Sequence, residues 1–147
     1  MVEFILSEQK VMNNSFLSNL DRERKGIPVA EFVASIEKIG LTKKRASQIF
    51  NLPKSKLSNR DGNQLLKGTQ ALATIRLEKL LLRAESIISN TLHPDAKGFD
   101  VGKWLGEWME MPQPALSGLK PSELLDTEAG GQQVLQLLGA IESGVYL

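Results

Sequence analysis

Few residues in this 147-residue chain could carry out chemistry. It has no cysteine, which excludes disulfides and thiolate metal centres, and its one histidine, His93, stands beside Pro94 in a polar stretch and reads as a surface residue. The carboxylates Glu107, Glu110, Glu123, Asp126, Glu128 and Glu142 fit neither a calcium loop nor an HExxH spacing, so a solvated acidic face is expected of them. Ser117-Gly118 and Ser143-Gly144 lack the glycine that precedes the serine of a nucleophile elbow, and no GxGxxG or GxxxxGK[ST] loop occurs. Neither a catalytic residue nor a metal or cofactor site is expected. What remains is binding chemistry, concentrated in KSKLSNR, where Lys54, Ser55, Lys56, Asn59 and Arg60 can donate to phosphates or base edges.

Those donors need an element that presents them. In LTKKRASQIFNLPKSKLSNR, Thr42 is suited to cap a helix, Ser47 supplies a small residue where two helices nearly touch, and Asn51 can take positive φ in the turn. Pro53 then opens a second helix, which Leu52 and Leu57 hold against the first. The pattern predicts a helix-turn-helix whose second helix displays the five donors.

Charge is distributed to match. Residues 21 to 97 hold 15 basic and 8 acidic side chains, a balance of +7, whereas residues 98 to 147 hold 2 and 7, a balance of −5. Such asymmetry fits a nucleic-acid-facing part joined to a part with another partner, and it also fits ordinary solvated helix faces.

The other segments read as helices. Residues 1 to 25 are a helix or an arm, with Phe4, Ile5, Leu6, Phe16, Leu17 and Leu20 as their apolar residues. GIPVAEFVASIEKIG predicts a helix with Pro28 in its first turn, Val29, Phe32, Val33 and Ile36 on one face, and Gly40 as the stop. TQALATIRLEKLLLRAESIISN is the longest helical pattern, and its apolar face, from Leu72 to Ile88, is broad enough to place it at the centre of the fold or in a dimer seam. After the linker HPDAKGFD come a short helix carrying Trp104 and Trp108, both assigned to the core, and a last helix with Thr127 or Asp126 as its cap and Gly144 as its stop. Between them, Pro112, Pro114 and Pro121 stiffen a scaffold in which SELL forms a short buried helix. The expected fold is all-α, in three parts: residues 1–25, a DNA-binding and dimerisation domain over 26–97, and a small helical domain over 98–147. Apolar runs too short to span a bilayer, and an acidic residue near the N-terminus, lead us to expect a soluble cytoplasmic protein with no membrane partner.

One series of residues is more specific than any of these patterns. Trp108-Met109, Pro112, Ala115-Leu116, Gly118, Pro121, Leu124-Leu125, Thr127, Gly130 and the closing IESGVYL follow one another without gaps. Together with the segment from about Arg24 onward, this series resembles the Xre/MbcA/ParS antitoxins, the partners of RES-domain toxins. The basic segment falls where that family has its Xre-type helix-turn-helix, although Lys54-Ser55-Lys56-Leu57 departs from the family's Arg-Thr-Leu-like start of the second helix. The resemblance implies a type II antitoxin, not an enzyme, that neutralises a RES toxin consuming NAD or transferring its ADP-ribose. It also implies repression of the antitoxin's own operon through operator DNA, as a homodimer within a larger hetero-oligomer. In that family the antitoxin's C-terminal end sits at the mouth of the toxin's active site, which assigns toxin binding here to Gly144, Val145, Tyr146 and Leu147. The acidic residues of the C-terminal domain would then meet basic groups around the NAD pocket. The alternative is a helix-turn-helix regulator with no toxin partner, whose C-terminal domain dimerises or senses a ligand.

Overall fold

The structure, a computed structural model, describes residues 16–58, 61–91 and 98–144. Residues 16–25 form helix α1. Strand β1 (Ile27–Pro28) runs directly into α2 (Val29–Lys38), which is followed by α3 (Lys43–Phe50), the single turn α4 (Lys54–Leu57) and strand β2 (Leu65–Leu66). The long α5 (Thr69–Thr91) comes next, then α6 (Val101–Trp108), 3-10 turns at Pro114–Leu116 and Pro121–Leu124, and finally α7 (Glu128–Ser143).

The fold is all-α, as expected, apart from a two-residue antiparallel bridge that pairs Ile27 with Leu66 and Pro28 with Leu65. Strands this short leave no alternation to read in a sequence. The bridge has a structural use, because the first amides of a helix have no partner within it. Here Val29 N donates to Gln64 O at 2.8 Å and Ala30 N to Gly62 O at 3.1 Å, so the β2 approach satisfies the start of α2. Pro28 therefore stands at the N-cap, one place before the expected first turn, where its missing N–H costs nothing.

Of the two roles open to α5, the structure shows the central one. Leu77, Leu80 and Ala84 are fully buried, and α2, α6 and α7 all pack against this helix. One apolar cluster includes Phe32 and Ile36 from α2, Leu105 from α6, and Val134 and Leu138 from α7, so residues on both sides of position 97 share a core. Phe32 and Phe50 meet edge to face in it at 5.7 Å, at 87°. The outward exception on α5 is Leu82, 65% exposed.

The helix α6 is seated by its glycines. A Cβ on Gly102 would lie 2.0 Å from Lys38 O, and one on Gly106 would lie 2.2 Å from Ile39 O. Those atoms are backbone and cannot swing aside, so only glycine lets α6 lie this close to the end of α2. On α6, Trp108 is buried as expected and Trp104 is half-buried, stacked on it at 6.0 Å. Among the described residues no helix is long and apolar enough to cross a membrane.

Candidate functional site

Helices α3 and α4 form the expected helix-turn-helix. Thr42 caps α3 by accepting from Arg45 N at 3.1 Å, and Asn51 adopts the left-handed conformation at φ 54°, ψ 48°. Leu52 and Leu57 are buried on either side of Pro53, which is the N-cap of α4. Ser47, the small residue expected where the helices nearly touch, lies against the turn. It is half-buried, and its hydroxyl donates to Leu52 O, which closes the turn; its neighbour Ala46 is the small residue sealed in the core. The hydroxyl has to find an acceptor, and the turn offers one.

The second helix is shorter than the donor pattern requires. It ends at Leu57, with Ser58 as C-cap and the Ser58 hydroxyl donating to Lys54 O at 2.9 Å. Lys54 and Ser55 are exposed on this turn. Lys56 is half-buried and donates to Gln70 Oε1 on α5 at 2.8 Å, so its ammonium is engaged within the molecule. Asn59 and Arg60 lie outside the described residues. Two further cations that the sequence reading passed over are Lys43 and Lys44, both exposed in the first turn of α3. That turn holds no acidic residue, and the two lysines sit at the positive end of the helix dipole, where an anion is favoured and a cation is not. Two lysines beginning a helix were the signal that could have found them.

The C-terminal unit is built by clamps. Arg45 of α3 forks onto Glu110, with Nε at 2.9 Å and Nη2 at 3.0 Å, and Ser122 Oγ donates to the same carboxylate at 3.2 Å. Arg76 of α5, buried beneath Gly131, donates from Nη1 to Leu125 O at 2.9 Å and from Nη2 to Glu128. Arg83 lies 3.6 Å from Glu142. Three further bonds, two from Arg22 to Glu78 and one to Glu31, tie α1 to α5 and α2; hydrogen bonding to Glu78 is the main cause that raises the Arg22 pKa above its usual range. The acidic residues are therefore not a uniform solvated face. Glu110, Glu128 and Glu142 face arginines of the basic part, and Glu123 accepts from Lys120 N at 2.7 Å to start the second 3-10 turn, leaving Glu107 and Asp126 exposed. Among the described residues no group of three or more His, Cys, Asp or Glu side chains is placed to hold a metal ion.

Helix α7 carries the chain toward its last residues. Thr127 caps it by accepting from Gly130 N at 3.0 Å, Val134, Leu137 and Leu138 are buried, and Gly144 ends it at φ 72°. Gly130 sits so near the preceding turn that a Cβ would be 1.9 Å from Leu124 O. Of the residues assigned to toxin binding, Gly144 is exposed at this cap, and Val145, Tyr146 and Leu147 lie outside the described residues.

With this geometry in place, the comparisons with known proteins are specific. Residues 99–144 match the model of the antitoxin Xre/MbcA/ParS C-terminal toxin-binding domain. A curated relative from Sphingobium sp. (strain YBL2), described as a Prs ADP-ribosylating antitoxin, is 29% identical over 124 residues, which is 84% of this chain and 77% of the relative. The family match covers the whole clamped unit from α6 to the Gly144 cap, and the relative's alignment extends well beyond it. Residues 99–144 are thus similar to the toxin-binding domain of Xre/MbcA/ParS antitoxins, in a chain that resembles an antitoxin over most of its length.

Proposed function

We propose that this antitoxin neutralises a RES-domain, NAD-consuming toxin by closing the toxin's active site with the residues that follow Gly144. The observation that carries this reading is the seating of α7. It is capped at both ends, packed along Val134, Leu137 and Leu138, and tied at its start to Arg76, so the place of Gly144, the last described residue, is set by the core. An apolar and aromatic tip suits a concave pocket. The chain acts by occlusion and needs no catalysis of its own.

The same protein represses its operon through α3 and α4. Lys43, Lys44 and Lys54 form no ion pair among the described residues, and at the first turn of α3 two of them oppose the helix dipole, a cost that a phosphate would relieve. Lys56, Asn59 and Arg60 belong to the same proposed contact, as does the exposed Ser55. A homodimer supplies two such units for successive faces of the operator, and the outward Leu82 marks the face of α5 that remains open to a second copy.

The test is co-expression with the product of the adjacent gene, followed by co-purification and an NAD-consumption assay. The full chain is expected to co-purify and to suppress NAD consumption, while a chain ending at Gly144 should lose the suppression. Suppression that survives the truncation would replace the plug by occlusion from the domain surface. If no complex forms, a helix-turn-helix regulator without a toxin partner becomes the reading.

A further inference from the structure

From Met111 to Leu119 the chain carries no charged residue, although this stretch lies inside the most acidic part of the protein. It is also turned outward. Met111 is 56% exposed and Leu119 42%, and Pro112, Pro114 and Ala115 are exposed between them. Exposed apolar loops are normally soft, but this one is fastened. Gln113 N donates to Leu119 O at 3.0 Å and Gly118 N to Gln113 O at 2.9 Å, which closes the neck, while the buried Gln113 side chain donates to Met111 O at 3.1 Å. Below the neck, Ser122 N donates to Met109 O at 2.9 Å, and the Arg45 fork on Glu110 holds the base to α3. Ser117, at φ 58°, turns the tip.

The geometry points to this loop as the apolar centre of the interface with the toxin, a contact separate from the residues after Gly144. The inference rests on the toxin reading proposed above. A rigid loop that exposes apolar side chains loses little entropy on docking, and interfaces place such residues at the centre with a polar rim around them. The rim here is polar and carries both signs of charge. Glu107, Lys103 and Lys38 line the same open groove as Met111, and Lys120 and the exposed Glu123 follow the loop on its other side. The loop lies within residues 99–144, the part of the chain that matches a toxin-binding domain, which makes the toxin its occupant.

The test measures by calorimetry the binding of the purified product of the adjacent gene, the proposed RES protein. The chains compared are the wild type, the double variant Met111→Asp with Leu119→Asp, and Ala115→Arg alone, each with its melting temperature. We expect the double variant to bind at least about 100-fold more weakly and Ala115→Arg about 10-fold more weakly. All three chains should melt within a few degrees of one another, because the substituted side chains are exposed. A wild-type chain that binds, with folded variants that bind within threefold of it, overturns the loop and leaves the toxin reading standing. A wild-type chain that does not bind the RES protein overturns the toxin reading itself. Should the double variant misfold, Ala115→Arg decides the matter on the same criterion. If the variants alter only self-association of the chain, the loop is a contact between copies and the inference falls.

Discussion

The helix-turn-helix and the C-terminal unit handle charge in opposite ways. Around α3 and α4 the lysines Lys43, Lys44 and Lys54 stand exposed, and the local packing depends on a cap, a left-handed Asn51 and a few buried leucines. In residues 99–144 most carboxylates are engaged by arginines or by backbone amides, and the outward loop is neutral. The acidic end and the basic middle thus interlock, since Arg45, Arg76 and Arg83 each face a glutamate of the acidic end. Part of the charge asymmetry is internal cement. What it leaves for partners is a small set of lysines on one unit and an uncharged loop on the other.

This contrast can be broken most severely where the two halves touch through backbone. Gly106→Val should abolish cooperative folding, and Gly106→Ala should cost about 3 kcal/mol or more in urea unfolding, because the added carbon meets Ile39 O. If Gly106→Ala unfolds like the wild type, the close seating of α6 on α2 is wrong. Next comes Arg76→Met, which keeps the apolar stem but leaves Leu125 O without its donor; a loss of about 2 kcal/mol is expected by the same measurement. Glu128 is well exposed and regains water, so little of that loss comes from the ion pair.

A smaller effect is expected in the helix-turn-helix turn itself. Asn51→Val should cost about 1–2 kcal/mol, since a β-branched residue resists positive φ, whereas Asn51→Gly should be near neutral. Equal costs for the two would show that the side chain and not the backbone conformation matters there. Smallest in stability is Lys43→Ala with Lys44→Ala, for which the melting temperature should stay the same or rise slightly. The pair is expected to weaken operator binding and to flatten its salt dependence by roughly two units of slope. An unchanged salt slope would take α3 out of the DNA contact.

Much of the local architecture was legible from residue type and short spacing. Thr42 and Thr127 as caps, Asn51 in the turn, Gly144 as the last stop and Leu52 with Leu57 as anchors all stand as read, because each depends on its own φ/ψ or on a neighbour three or four residues away. The series from Trp108 to IESGVYL likewise identified the C-terminal unit, since its prolines, glycines and leucines lie at fixed offsets. What went unread was the second local use of a side chain: the Ser47 hydroxyl closes the turn through Leu52 O, and α4 stops at Leu57, where Ser58 satisfies its end.

By itself, then, the sequence determined most helix caps and stops and which stretch forms the helix-turn-helix, consequences of short-range sterics and hydrogen bonding, and it showed which family the chain resembles. Only the tertiary structure decided that α5 is a central helix, that Glu110 belongs to Arg45 65 positions earlier, and that Gly102 and Gly106 are contact surfaces. It also decided that Met111 and Leu119 face outward while Met109 is sealed in the core. Composition cannot distinguish a buried methionine from an exposed one two residues away. The difference is made by what packs against the chain at that point, and those partners come from distant parts of the sequence.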